Sequence, residues 1–128
     1  MKILMVDDDA EDRDILQFSM ESVNATDTIY FAENGEQALT MLNNHYPLTN
    51  IPMLIILDLN MPRMNGTETL RSLKSDERFK NIPVIIYSTS INPFEKAKCM
   101  ELGAHSFITK PISYQESLEN ANTFLAFL

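Results

Sequence analysis

Short runs rich in Ile, Leu and Val recur along the chain at Ile3 to Val6, Met53 to Leu57, Val84 to Tyr87 and Ser106 to Thr109. They lack the alternation of a half-exposed strand and fit strands buried on both faces of a parallel sheet. A weaker fifth run covers Thr28 to Ala32. Between the runs, apolar residues take helical spacing: Ile15 and Phe18, and Leu16, Met20 and Val23, in the first segment, and Ala38, Leu39 and Leu42 in the second. The last segment, Ser113 to Leu128, places Tyr114, Leu118, Ala121 and Leu125 on one face. Five βα units with short connections predict an α/β fold, a doubly wound parallel sheet with helices on both faces.

Helix starts carry their own chemistry. A short polar side chain can cap free backbone N–H groups while an acid or amide three residues later returns the bond. Asn34 with Gln37, Asn92 with Glu95, and Ser113 with Glu116 fit this pattern. Pro93 falls at a first helical position, where its missing N–H costs nothing, and Gly103 is placed as a left-handed cap. Asn43 to Pro52, with two prolines and three asparagines, predicts a longer surface connection. One domain over residues 1–128 is expected, its final helix running to the chain end.

Composition narrows the function classes. The net charge of −8 opposes direct nucleic-acid binding, which draws its affinity from Lys and Arg neutralising phosphates. No stretch approaches the roughly 20 apolar residues that span a bilayer, and Ile3 to Val6 is too quickly followed by acids to be a secretory signal. No membrane association and a cytoplasmic location are therefore expected. The single Cys99 can form neither an internal disulfide nor a zinc site and reads as a helix residue. His45 and His105 lack partners at ligand spacing and read as surface residues, and the eight methionines read mostly as packing. Phe124, Leu125, Phe127 and Leu128 form an apolar end that could support a homodimer.

The sharpest pattern lies at the residue following each run: Asp7-Asp8-Asp9 after the first, Asp58 after the third, Ser88 after the fourth and Lys110 after the fifth. In a parallel sheet these ends share one edge, where ligands bind, so the groups converge in space. Taken singly, the acidic triplet could be a solvated turn, Lys110 a surface lysine and Ser88 an ordinary strand-end hydroxyl. Glu11 and Asp12 read as acids favouring the following helix dipole. Jointly the strand-end set suits phosphoryl transfer to a carboxylate. Mg²⁺ would bridge acids and phosphoryl oxygens, Asp58 would act as nucleophile, and Lys110 and Ser88 would hold phosphoryl oxygens.

The segments Ile3-Leu4-Met5-Val6-Asp7-Asp8-Asp9, Leu57-Asp58-Leu59-Asn60-Met61-Pro62-Arg63-Met64-Asn65-Gly66, Tyr87-Ser88-Thr89 and Ile108-Thr109-Lys110-Pro111 resemble the receiver domain of two-component response regulators, over essentially the whole chain. The resemblance implies the flavodoxin-like strand order 2-1-3-4-5. It makes Asp58 the phosphorylation site and a metal ligand, Asp8 a direct Mg²⁺ ligand, Asp7 a ligand acting mainly through water, and Asn60 a ligand through its backbone carbonyl. It implies that Lys110, Ser88 and the Thr89 backbone stabilise the phosphoryl group, that Ser88 and Phe107 form the switch pair, and that Lys110-Pro111 is a cis peptide. Asp9 lies outside the matched acids, and Phe107 lacks a phenolic hydroxyl. Asn60 and Ser90 occupy positions where the family tunes hydrolysis.

The function so implied is that of a stand-alone receiver without an output domain. It would take a phosphoryl group from a sensor histidine kinase or histidine phosphotransfer protein, then signal by protein contact or pass the group on. It would be a phosphoacceptor rather than an enzyme, and the long connection after the second helix, with Asp76 to Pro83, resembles small regulators paired with phytochrome-type kinases. Three alternatives fit the residues less well. A phosphohydrolase or mutase would want an acid two residues after the nucleophile, where Asn60 stands. A flavodoxin-like cofactor binder would want a phosphate-cradling loop where Asp7 to Asp9 stand. A receiver no longer phosphorylated would be expected to lack a key group, and none is missing.

Overall fold

Strands β1 (Ile3–Val6), β2 (Ile29–Ala32), β3 (Leu54–Leu57), β4 (Val84–Ser88) and β5 (Ser106–Thr109) alternate with helices α1 (Ala10–Ser22), α2 (Gly35–His45), α3 (Gly66–Ser75), α4 (Pro93–Glu101) and α5 (Tyr114–Leu125) in a computed structural model. The structure describes residues 2–25, 28–45, 51–89 and 92–128. Every strand pairing is parallel, and the order is β2-β1-β3-β4-β5. This is the doubly wound, flavodoxin-like arrangement expected. Strand limits move by one residue: β2 and β3 begin one position late, and β4 includes Ser88, which pairs with Thr109.

The pleat sorts the apolar runs into two cores, because successive side chains on a strand point to opposite faces. Leu4, Val6, Ile55, Leu57, Val84 and Ile86 meet residues of α2, α3 and α4, including Leu42, Leu70, Leu73 and Cys99. Ile3, Met5, Leu54, Ile56, Ile85 and Tyr87 meet α1 and α5 through Leu16, Met20, Ala121 and Phe124. All four residues of β1 and of β3 are buried, which explains why these strands read as unbroken apolar runs.

Several helix details differ from expectation. The buried face of α5 is Ser117, Ala121 and Phe124, whereas Tyr114 is exposed and Leu118 only half-buried. Phe124 decides this rotation: its ring meets Tyr87 edge-on at 5.4 Å, and the Ser117 hydroxyl donates to the Tyr114 carbonyl at 2.6 Å, so its burial leaves no unmet donor. The apolar patch expected at the chain end is correspondingly smaller, since Phe124 is fully buried. On α1 the inward residues are Leu16, Ser19 and Met20, leaving Ile15 and Phe18 exposed. α2 continues through Asn43 to His45, so the expected connection begins later, and residues 46–50 of it lie outside the described residues.

Caps follow the predicted chemistry with shifted return partners. Asn34 Oδ1 accepts from the Gln37 N–H at 2.8 Å, but Gln37 bonds back to the N–H of Glu33. Ser113 Oγ accepts from Glu116 at 3.1 Å, while Glu116 accepts from Ile112. Asn92 caps α4 ahead of Pro93, and Gly103 has φ 105°, a conformation that favours glycine. His105 is exposed and stacks edge-on against Phe127 at 5.0 Å. Among the described residues, no helix is long and apolar enough to cross a membrane.

Candidate functional site

The site is built on the adjacent central strands β1 and β3. Their register pairs Val6 with Leu57, so the next residues, Asp7 and Asp58, leave the sheet side by side. Backbone hydrogen bonds extend the ladder through both: the Asp7 N–H donates to the Ala32 carbonyl and the Asp58 N–H to the Val6 carbonyl, each at 3.0 Å. One carboxylate oxygen from each of Asp7, Asp8 and Asp58 lies within 4.8 Å of the others. Asp7 and Asp58 are buried and Asp8 is exposed. The group opens into a cleft of about 340 Å³ lined by Asp8, Asp9, Asp12, Asp58, Asn60, Thr89 and Lys110.

Lys110 closes the other side. It is 6% exposed, and its backbone N–H donates to the Ser88 carbonyl at 2.9 Å, fixing the end of β5 to that of β4. Its ammonium nitrogen lies 2.8 Å from Asp7 Oδ2, 2.7 Å from Asp12 Oδ2 and 3.7 Å from Asp58 Oδ1. The Asp7 approach is an ion pair by distance but falls outside hydrogen-bond angles. Asp7 Oδ2 thus remains the buried side-chain oxygen without a hydrogen bond among the described residues. Arg13 Nη1 donates to the Asp7 carbonyl at 2.7 Å and steadies the same turn.

Crowding of acids in a buried space sets the electrostatics. Burial, then repulsion by Asp7, pushes the Asp58 carboxyl up to about 6, against the opposing pull of Lys110 and the Asn60 N–H. Burial likewise raises Asp7, while Lys110 and the Asp9 N–H draw it back. For Lys110 burial works against the charge, but the hydrogen bond to Asp12 and the close negative charge of Asp7 outweigh it and hold the ammonium above the usual lysine range.

The structure brings together Asp7, Asp8, Asp58, Asn60, Thr89 and Lys110 as the sequence predicts. Ser88 is buried at the end of β4 beside this edge, and Phe107 is half-buried on β5, paired in register with Ile86 and packed against the α2–α4 core. Ser90 lies outside the described residues. Asp9 caps α1, accepting from the Glu11 N–H at 2.9 Å. Asp12 corrects an expectation: its carboxylate does more than favour a helix dipole, because it binds Lys110 directly. Its place in the first turn of α1, where side chains lean back toward the helix N-terminus and hence the strand edge, was the available signal.

Gly66 is a second residue whose role needed coordinates. A Cβ there would stand 2.3 Å from the Asp58 carbonyl oxygen and 2.6 Å from Leu59 Cα, backbone atoms that cannot swing aside. Gly66→Ala is expected to destabilise the protein by roughly 2 kcal/mol, as an overpacked contact does, with a lower urea midpoint and unchanged slope.

Hard oxygen donors of this kind fit a divalent cation. Asp7 Oδ2 makes no hydrogen bond, and the single nearby cation, Lys110, leaves the Asp58 carboxyl raised; an ion among Asp7, Asp8 and Asp58 would add positive charge beside both.

Comparison with known proteins agrees with this geometry. Residues 3–122 match the response regulator receiver domain family. Chemotaxis protein CheY1 of Helicobacter pylori strain 26695 is 31% identical over 125 residues, covering 98% of this chain and 97% of that protein. A probable transcriptional regulatory protein of Picosynechococcus is 30% identical, and this chain spans about half of it, 49%. Among solved structures, the phosphorylated cyanobacterial phytochrome response regulator RcpA superposes with TM-score 0.86 at 30% identity, covering 98% of this chain and 91% of that one. The Mn²⁺-bound form of response regulator Rcp1 gives 0.80 at 25% identity, covering 99% and 94%. With the acids, the lysine and the strand order agreeing with a match over nearly its whole length, the chain belongs to the response regulator receiver domain family.

Proposed function

We propose that Asp58 accepts a phosphoryl group from a phosphohistidine on a sensor histidine kinase or histidine phosphotransfer protein. One Asp58 carboxylate oxygen bonds to phosphorus as the P–N bond breaks, and the departing imidazole nitrogen keeps the bonding pair. An ionised carboxylate needs no separate base for this attack. The observation that carries the proposal is the convergence of Asp7, Asp8 and Asp58 within 4.8 Å, with Lys110 at the same edge.

Asp7, Asp8, Asp58 and the Asn60 carbonyl would hold the cation, and Mg²⁺ is our choice because it suits carboxylates shared with phosphoryl oxygens. When bound, it supplies the positive charge that lets a phosphoryl anion approach clustered acids. The metal-bound state of Rcp1 supports a divalent ion here. Lys110 donates to one phosphoryl oxygen, the Ser88 hydroxyl to another and the Thr89 backbone N–H to a third. Ser88 and Phe107 then carry the change to the face of α4, β5 and α5, which another protein reads in the cytoplasm. The chain is thus a phosphoacceptor, turning over only by its own slow dephosphorylation.

Intact mass after incubation with Mg²⁺ and acetyl phosphate tests this. A single phosphoryl adduct is expected in the wild type and none in Asp58→Asn. An adduct that survives the substitution, or a wild type that forms none, sinks the assignment.

A further inference from the structure

We infer that Asp12 is a positioning residue that holds Lys110 back from Asp58 and so sets how readily Asp58 is phosphorylated. This rests on the phosphoacceptor function proposed above. The Lys110 ammonium has three donors, and its near partners are Asp12 Oδ2 at 2.7 Å and Asp7 Oδ2 at 2.8 Å. Asp58 Oδ1, at 3.7 Å, lies beyond hydrogen-bond reach. Of the two near contacts, only that with Asp12 has hydrogen-bond geometry.

Asp12 stands outside the three acids whose oxygens gather within 4.8 Å, so metal binding does not account for its place. Its side chain is 22% exposed, and no other hydrogen bond competes for Oδ2 among those of the described residues. The Lys110 stem is anchored by its backbone bond to Ser88, which leaves the ammonium a short arc between Asp12 and the Asp58 carboxylate. When an Asp58 oxygen bonds to phosphorus and the donor's acetate leaves with the P–O bonding pair, Lys110 gains a new anionic partner. Reaching it requires loosening the bond to Asp12. A charge-assisted bond is among the stronger ones a side chain makes, so this competition is felt in the rate.

The test is the second-order rate constant for adduct formation from acetyl phosphate with Mg²⁺ in excess, followed by intact mass. Asp12→Ala is expected to raise it roughly fivefold, the worth of a partly solvated charge-assisted bond. Asp12→Glu, which keeps the charge, should stay within about twofold of wild type on the same scale. The gain should persist at high ionic strength, where repulsion between exposed charges is screened. A rate in Asp12→Ala equal to or below wild type overturns the inference, as does a gain that disappears in salt or appears equally in Asp12→Glu. With wild-type adduct formation intact, any of these removes only the Asp12 role. Failure of the wild type to form an adduct removes the phosphoacceptor function and this inference with it.

Discussion

Replacing Lys110 by alanine is expected to destabilise the metal-free protein by about 3–5 kcal/mol at neutral pH, the usual cost of removing one partner from a buried ion pair. Lys110 is buried against Asp7 and faces Asp58, which is also buried, so its loss leaves carboxylates facing one another without a counter-charge. The deficit should shrink toward pH 5, where the acids can escape the repulsion by taking up protons. It should also shrink when Mg²⁺ is added, because an ion that binds only the folded state stabilises it by mass action. Urea unfolding followed by circular dichroism in chelator, at pH 5 and pH 7.5 and then with Mg²⁺, checks all three points. A loss below about 1 kcal/mol that is independent of pH would show that Lys110 is no more than a surface ion-pair residue.

The second large effect is the pH dependence of stability conferred by Asp58 itself. Its folded-state value of about 6 lies above the ordinary carboxyl value of 3.8, chiefly through burial and next through the charge of Asp7. A raised folded value means that the native state binds the proton more tightly. The contribution to stability is therefore fully present below pH 4 and is lost as pH rises through 6. A shift of about 2 units corresponds to about 3 kcal/mol between those limits. In chelator, Asp58→Asn should accordingly be more stable than wild type by up to about 3 kcal/mol at pH 7.5, and the difference should fade by pH 4. Saturating Mg²⁺ should reverse the order, since the variant loses a ligand. An Asp58→Asn difference that is flat across pH 4–7.5 would show that burial of this carboxylate carries no such penalty.

How far the sequence could be read follows from where each feature gets its cause. The strands were legible because burial on both faces leaves no polar position to interrupt Ile3 to Val6 or Leu54 to Leu57. The acids and Lys110 were legible because a parallel sheet delivers all its strand ends to one edge, whatever the spacing along the chain. The order of the strands had no such local cause and came from the family resemblance. Asp12 does lie in the first turn of α1, but its bond to Lys110 could not be read from the sequence, because that partner is 98 residues away and the contact depends on how α1 docks on the sheet. The rotation of α5 depended on the Tyr87 ring accepting Phe124 edge-on, which hydrophobic spacing alone cannot distinguish from a neighbouring stripe. Gly66 follows Asn65 in the segment after Asp58, but only the fold shows that a Cβ there would run into the Asp58 carbonyl and the Leu59 backbone.

The pairing of Val6 with Leu57 also acts as a ruler. The gap between Asp7 and Asp58 is set by hydrogen-bonded strands, whose spacing of about 4.8 Å is nearly invariant among proteins. A slip by one residue would draw the two acids out of step and, in the same move, turn the buried side chains of a strand toward the wrong core. The error that would spoil the chemistry is thus the error that would most damage the fold. A chain that has reached its stable sheet has already set the distance between its acids.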